Sequence, residues 1–356
     1  MRKTNFMKDL IHIKQTDDTI TRVISAGLNI SIPLLIGYFS GNMQLGTLGA
    51  LGTFSFLSFT PLPLDKLVKR IIKIGLSIMV GFYLGLLSTL IPWLIPVVLG
   101  GVSLCGLFIA RLLQIPSPGA FFVIMVTAMS SGMDIPFDEM LPAMLTVGIG
   151  VITSVFMAIL AGIINNYFQL WTIKTEVPSY SERIQDTIDR NPELLLASLY
   201  HAGVICFATY VAQSLGFANP YWITVSTVAV LQGRKLKFIF ERNVQRIIGG
   251  VIGLFIGMLI FSLNLSLLEK IFILIILNTL VEFCMTRNYG LANFFTNPLA
   301  ILLSSLSSNL FASDLFTARF IGLVLGSIIG VIGAALFSLG LRMYERELSL
   351  IRKNKK

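Results

Sequence analysis

Residues 219–253 read NPYWITVSTVAVLQGRKLKFIFERNVQRIIGGVIG. An apolar run opens on Asn-Pro-Tyr-Trp and gives way to Arg234, Lys235, Lys237, Arg242 and Arg246, after which a glycine-spaced apolar helix begins at once. The first run, 219–233, would make about 21 Å of helix, against a hydrocarbon core of about 30 Å. A span this short, followed by so many cations, asks whether the basic cluster serves nucleic acid, lipid headgroups or an anionic solute.

The rest of the chain answers for a membrane. Of its 356 residues 55% are hydrophobic and only 13% charged, with a mean hydropathy of +0.82. Soluble domains carry about a quarter charged residues. Apolar runs near the length of a bilayer span recur from end to end. The first twenty residues are polar and lack the apolar core and cleavage site of a signal peptide, so the first span is expected to stay in the mature protein. Cys105, Cys206 and Cys284 sit singly in apolar segments and read as small core residues. With two distant histidines, no metal site is expected, and no cofactor.

Apolar periodicity predicts twelve spans: about 21–40, 44–61, 70–91, 92–110, 117–133 and 140–168, then 194–215, 219–233, 246–265, 268–286, 289–309 and 315–341. Charge tests the count. With the N-terminus inside, 25 of the 27 Lys and Arg fall in inner segments, and only Lys270 and Arg319 fall outside. Lys and Arg gather on the cytoplasmic side, so both termini are expected there. The net charge of +9 therefore reads as topology, and no nucleic-acid partner is expected.

The chain also repeats itself. A shift of 176 positions places Ala26-Gly27 on Ala202-Gly203, Asp65-Lys66 on Glu241-Arg242 and Arg70-Ile71-Ile72 on Arg246-Ile247-Ile248. It also places Gly81 on Gly257, Arg111 on Arg287, Asp138 on Asp314 and Gly150 on Gly326. Six helices per copy is an even number, so the copies share one orientation, as in transporters built from parallel repeats. The predicted fold is an all-α polytopic membrane protein of about twelve transmembrane helices. They form two parallel six-helix repeats about a pseudo-two-fold along the membrane normal.

The predicted organisation is an interfacial N-terminal segment (1–20), a first repeat (21–168), a polar linker (169–193), a second repeat (194–341) and a basic tail (342–356). In the linker, Tyr180, Ile184 and Ile188 are spaced by four, as on an amphipathic surface helix. The N-terminal MRKTNFMKDLIHIK has the make-up of a basic helix on anionic lipid.

Chemistry is sparse. No phosphate loop, H-E-x-x-H or G-x-S-x-G is present, so neither ATP hydrolysis nor another enzymatic activity is expected. Short or Gly/Pro-bearing spans do recur at matching places in both copies, and such interruptions point to a substrate path. Asn293, Asn297 and Pro298 in 289–309 are candidates for lining a cavity or for a structural role. Gly46, Gly49 and Gly52, like Gly249, Gly253 and Gly257, read first as close helix packing. Arg111 and Arg287 sit at equivalent inner helix ends, each before a Pro- or Gly-bearing helix entry. They fit either an anion site or boundary residues that reach to headgroups. Glu282, one turn inside Arg287, would pair with it or carry a proton. Arg319 would pair with Asp314 or face an outer vestibule.

The opening stretch resembles the signature of the fusaric acid resistance protein-like (FUSC) family, in the aromatic acid exporter superfamily. Tyr221 and Trp222 match its aromatic helix start. Arg246, Gly249 and Gly253 match its Arg-x-x-Gly-Thr-x-x-Gly element, with Gly250 in the place of Thr. RNYGLANFFTNPLAIL and ARFIGLVLGSIIG are similar to later family segments. In the first copy Leu45-Gly46 stands where Tyr-Trp would be, so that motif is degenerate, although Arg70 is kept. Large family members carry cytosolic domains after each half; only the linker and a short tail stand in those places here. The resemblance implies a transporter, an exporter by family type, of small organic anions such as aromatic carboxylates, with Arg111 and Arg287 on a basic path. Tyr221 and Trp222 would be an outer-interface anchor or one wall of that path. Two other readings fit part of the pattern: a membrane scaffold or envelope-biogenesis protein without transport, and a major-facilitator permease. The expected setting is the cytoplasmic (inner) membrane. The expected partners are the bilayer and the anion, and self-association into a homo-oligomer is compatible with the pattern.

Overall fold

The computed structural model describes residues 13–16, 18–172, 178–191, 193–217, 219–232, 236–307 and 312–354, with backbone alone for 344–354. Among these residues all regular structure is helical. In chain order the α-helices are α1 (Ile20–Phe39), α2 (Met43–Gly52, extended by a 3-10 turn, Thr53–Ser58), α3 (Leu64–Thr89), α4 (Ile95–Leu112), α5 (Phe121–Ser130) and α6 (Phe137–Tyr167). Then follow α7 (Tyr180–Arg190), α8 (Leu194–Ser214), α9 (Tyr221–Val230), α10 (Leu236–Phe261), α11 (Leu267–Met285), α12 (Tyr289–Ser305) and α13 (Ala312–Asn354). Seven of these are long and apolar enough to cross a membrane: α1, α3, α4 with its leading turn, α6, α8, α10 and α13.

Local chemistry sets the boundaries. Ser266 and Glu269 form a reciprocal cap on α11, and Ser179 and Glu182 do the same for α7. The backbone N–H of Leu291 donates to the Asn288 side chain (3.0 Å) at the start of α12. Pro63, Pro136 and Pro220 immediately precede α3, α6 and α9, where a missing N–H costs nothing.

Packing follows a pattern that returns after the linker. Helix α3 packs on α5 and α6, and α10 packs on α12 and α13. Helix α2 lies on α6, and α9 on α13. The two sets meet where α1 lies on α11 and α4 on α8, with α5 touching α9. Glycine lets the crossings close: a Cβ at Gly253 would lie 2.6 Å from the Asn293 carbonyl, and one at Gly46 would lie 3.1 Å from the Pro33 carbonyl. The packing role read for these glycines holds. Facing outward, large apolar side chains recur every three or four residues: Leu76, Val80 and Leu84 on α3, Ile248, Ile252, Phe255 and Leu259 on α10, and Ile328, Ile332 and Leu336 on α13. Exposed stripes of this extent need an apolar solvent. The protein is a multi-pass membrane protein.

Several boundaries differ from the sequence prediction, each for a local reason. Helix α10 begins at Leu236, ten residues before the predicted 246, because LKFIFERNVQR is itself amphipathic enough to be helical. Lys237, Arg242 and Arg246 thus stand on the helix and not in a loop. Helix α9 keeps only ten residues, about 15 Å. Helix α12 continues through Pro298 without a break. Helix α13 runs on to Asn354, so the segment set apart as a tail prolongs it. Cys105 is exposed and Cys206 half-buried, so only Cys284 is a core cysteine. Arg2, Lys3, Lys8, Lys174, Arg234 and Lys235 lie outside the described residues, as does most of the predicted interfacial N-terminal segment.

Candidate functional site: a buried arginine cluster in the second half

Helix α9 is buried at every position from Trp222 to Val230. Around it stand α10, α12 and α13, and each contributes a polar side chain to one cluster. Arg246, three turns into α10, is 4% exposed. Its Nη1 donates to the Tyr289 hydroxyl (3.0 Å) and its Nη2 to Ser226 Oγ (3.1 Å). Arg319 lies about 10 Å into α13 and is 2% exposed. Its Nε donates to Asn297 Oδ1 (2.7 Å), and its guanidinium lies 3.9 Å from the centroid of the Trp222 ring. Arg242 stacks in the same manner on Tyr289, at 3.9 Å.

Asn297 ties the cluster to the backbone. Its Nδ2 donates to the Gly250 carbonyl (3.2 Å) while its Oδ1 serves Arg319. The amide is fully used, which is the condition for burying one. Asn293, one turn earlier, donates to the Tyr289 carbonyl (2.7 Å) and flanks Gly249.

The balance of charge is unusual. Among the described residues no carboxylate lies within 4.0 Å of Arg246 or Arg319, and the two guanidiniums are near enough to oppose each other. Arg246 Nε and Arg319 Nη1 have no hydrogen-bond partner. Each arginine at membrane depth costs about 2.5–3.5 kcal/mol on insertion scales. Cation–π contact with Trp222 and hydrogen bonds to neutral groups offset part of that.

At one end of the cluster Tyr221 stacks on Trp222 with ring centroids 4.8 Å apart. Tyr221 also lines a cavity of about 310 Å³ between α2, α5, α9 and α12, together with Gln44, Thr47, Asp134, Asn219 and Ser304. Pockets for small ligands start at about this volume. Trp222, 4% exposed beneath Arg319, is no interfacial anchor; of the two aromatic residues, only Tyr221 meets open space.

The other predicted site residues lie elsewhere. Arg287 stacks on Phe283 at 4.0 Å and donates to the Phe283 carbonyl (2.7 Å). Arg111 is exposed at the end of α4, on the side of His201. The expected Glu282–Arg287 pair is not formed. Glu282 accepts from Arg22 Nη2 (3.0 Å), whose Nη1 donates to Asp18 (2.9 Å), so the acid ties α11 to α1. The reason is helical geometry. Glu282 and Arg287 are five positions apart, more than the three or four that bring side chains together, while Arg22 faces the acid across the helix contact. Arg319 pairs with neither Asp314 nor an outer vestibule. Arg70, the sequence counterpart of Arg246, donates to Thr60 Oγ1 (2.9 Å) and is half-buried. Sequence reasoning missed Tyr289, Ser226 and Arg242 as partners; the signal available was the one-turn spacing of Arg242 from Arg246 and of Tyr289 from Asn293.

Residues 206–333 match the fusaric acid resistance protein-like family. The match takes in every residue of the arginine cluster, and it bears out the resemblance read from the motif. A membrane protein of Bacillus subtilis (strain 168), YvaC, described as uncharacterized, is 29% identical over 163 residues. That alignment covers 46% of this chain and 26% of the relative, so the chain matches about a quarter of the relative's length. No solved structure is a match.

Proposed function

We propose that the chain is a transporter, by family type an exporter, of small organic anions, with aromatic carboxylates as the first class to test. The observation that carries this reading is the pair of buried, acid-free guanidiniums, Arg246 and Arg319. Their unpaired N–H groups are the donors left for an incoming carboxylate, which would form charge-assisted bonds in a site shielded from water. Asn297 holds Arg319 in place, and Trp222 offers its ring to the same path. Tyr221 stands between this site and the cavity. Both arginines are occluded, so access requires α9 and α13 to shift against each other, as an alternating-access carrier does. Arg111 and Arg287 have the lesser role of helix-end cations that an anion meets first.

We infer twelve membrane helices in two parallel six-helix repeats, with α7 as the linker between them. Supporting this are the 176-residue shift and the return of the main helix contacts seven helices later, the linker helix included. The short helices α2 and α9 also fit it, each lying on the last helix of its half. The cation bias supports an inner membrane with both termini on the cytoplasmic side.

The test is flux of benzoate-like and aliphatic carboxylates into liposomes holding the purified protein, preceded by a thermal-shift screen of the same compounds. A binding anion raises the melting temperature by mass action. Flux that Arg319→Gln lowers at unchanged protein content supports the reading. Absence of carboxylate flux and of any stabilising carboxylate would leave the scaffold reading in its place.

A further inference from the structure

Helix α7 turns its apolar side away from the bundle. Tyr180 and Ile188, at the two ends of the predicted apolar stripe, are 55% and 58% exposed, with Ile184 between them half-buried. Polar residues make its contacts instead: Gln114 Nε2 donates to Asp186 (2.7 Å) and to Thr187 (3.2 Å), and Arg183 donates to the Leu113 carbonyl (3.4 Å). An amphipathic helix set in this way leaves both ends of its apolar stripe largely uncovered.

Beside it, the outward stripe of α3 (Ile72, Leu76, Val80, Leu84) ends at Lys73. Lys73 Nζ donates to the Tyr180 hydroxyl (2.8 Å) and lies 4.9 Å from the ring centroid, and the Arg183 guanidinium lies 5.9 Å from the same ring. Arg70 is within electrostatic reach of both Tyr180 and Arg183. The Lys73 hydrogen bond, helped by the charges of Lys73, Arg183 and Arg70, holds the Tyr180 hydroxyl below the usual phenol range. Among the described residues none of these three cations is in an ion pair, although neighbouring Lys69 and Arg190 are matched by Asp65 and Asp186. Three cations therefore converge, without an acid, where a lipid-facing stripe meets an exposed apolar helix face.

We propose that α7 and the adjoining end of α3 form a docking surface for anionic phospholipid. Lys73, Arg183 and Arg70 hold the headgroup phosphate, and Tyr180 and Ile188 enter the acyl boundary. Basic residues beside an apolar face are what an anionic membrane surface attracts. The proposal does not depend on what the chain transports.

The test is melting of the detergent-purified full chain titrated with phosphatidylglycerol, with phosphatidylcholine, or with inorganic phosphate. Phosphatidylglycerol is expected to stabilise the protein, and the other two are not. Lys73→Gln/Arg183→Gln should weaken the phosphatidylglycerol response roughly tenfold or more in apparent affinity. The charge-keeping Lys73→Arg/Arg183→Lys should retain it, and so should Lys270→Gln, which removes a charge elsewhere. Three results would overturn the proposal: equal stabilisation by phosphatidylcholine, stabilisation by inorganic phosphate alone, or an unchanged response in the double glutamine variant.

Discussion

Arg70 and Arg246 stand 176 residues apart in matching sequence contexts, Arg-Ile-Ile in each case, yet they live in different surroundings. Arg246 is buried among Ser226, Tyr289 and the Arg319–Asn297 pair. Arg70 is half-buried on a threonine hydroxyl. The positions that the shift assigns to Tyr221, Trp222, Ser226, Asn297 and Arg319 are Leu45, Gly46, Ala50, Phe121 and Ala143, all without a polar side chain. The first half has instead filled that space with a packed apolar core around Leu48, Ile78, Phe82 and Val147. The difference teaches that helix packing and polar chemistry vary separately. On the proposed two-repeat reading the main helix crossings recur in both halves, while the arginine cluster lies in the second.

Substitutions can break or sharpen that comparison. The largest effect is expected for Arg319→Met, which should lower anion flux about thirtyfold or more, in the range seen when one partner of a buried charged contact is truncated. Its melting temperature should stay level or rise, because an uncompensated buried charge is replaced by an apolar side chain of similar length. Arg70→Met in the first half should leave flux within about twofold. A melting temperature that falls steeply in Arg319→Met would instead mark the arginine as a brace.

Next come the glycine crossings, where the halves should behave alike. Gly253→Val and Gly46→Val should each lower stability by about 1–3 kcal/mol, the usual cost of forcing atoms into a closed contact. Urea or thermal melts of the two variants in the same detergent measure this. A large effect in one half alone would deny them a common scaffold.

Asn297→Leu should cost about 1–3 kcal/mol by leaving the buried Arg319 Nε unpaired, whereas Phe121→Leu in the first half should cost about 1 kcal/mol. The same melts resolve the difference.

The smallest effect concerns the contact between halves. Glu282→Gln removes one charge from the Arg22 pair and should lower the melting temperature modestly. It should leave the pH profile of flux unchanged, because the acid serves as a tie between α1 and α11. A profile flattened by Glu282→Gln would make Glu282 a proton carrier.

Much of this architecture was legible in the sequence. Hydropathy periodicity placed most helices, and the Tyr-Trp and Arg-x-x-Gly elements marked the half that carries the polar cluster. Asn293, Asn297, Trp222, Arg246 and Arg319 were all singled out, but not as neighbours. Arg246 and Arg319 are 73 positions apart, on helices whose contact no local pattern encodes. For Arg319 the sequence offers Asp314 or an outer vestibule because it lies near a span end, whereas its burial depends on Trp222 and Asn297 arriving from other helices. The early start of α10 was hidden by its own charges, which hydropathy discounts although the helix tolerates them. Glu282 was matched to a sequence neighbour, whereas its partner, Arg22, is 260 residues away.

The central claim is that the second half's buried arginines handle an anion. Carboxylate flux in liposomes containing equal amounts of the unaltered chain, Arg319→Met and Arg70→Met tests it most directly. The account predicts flux in the unaltered chain and in Arg70→Met, and its collapse in a stable Arg319→Met. Equal flux in all three, or loss in Arg70→Met alone, would contradict it.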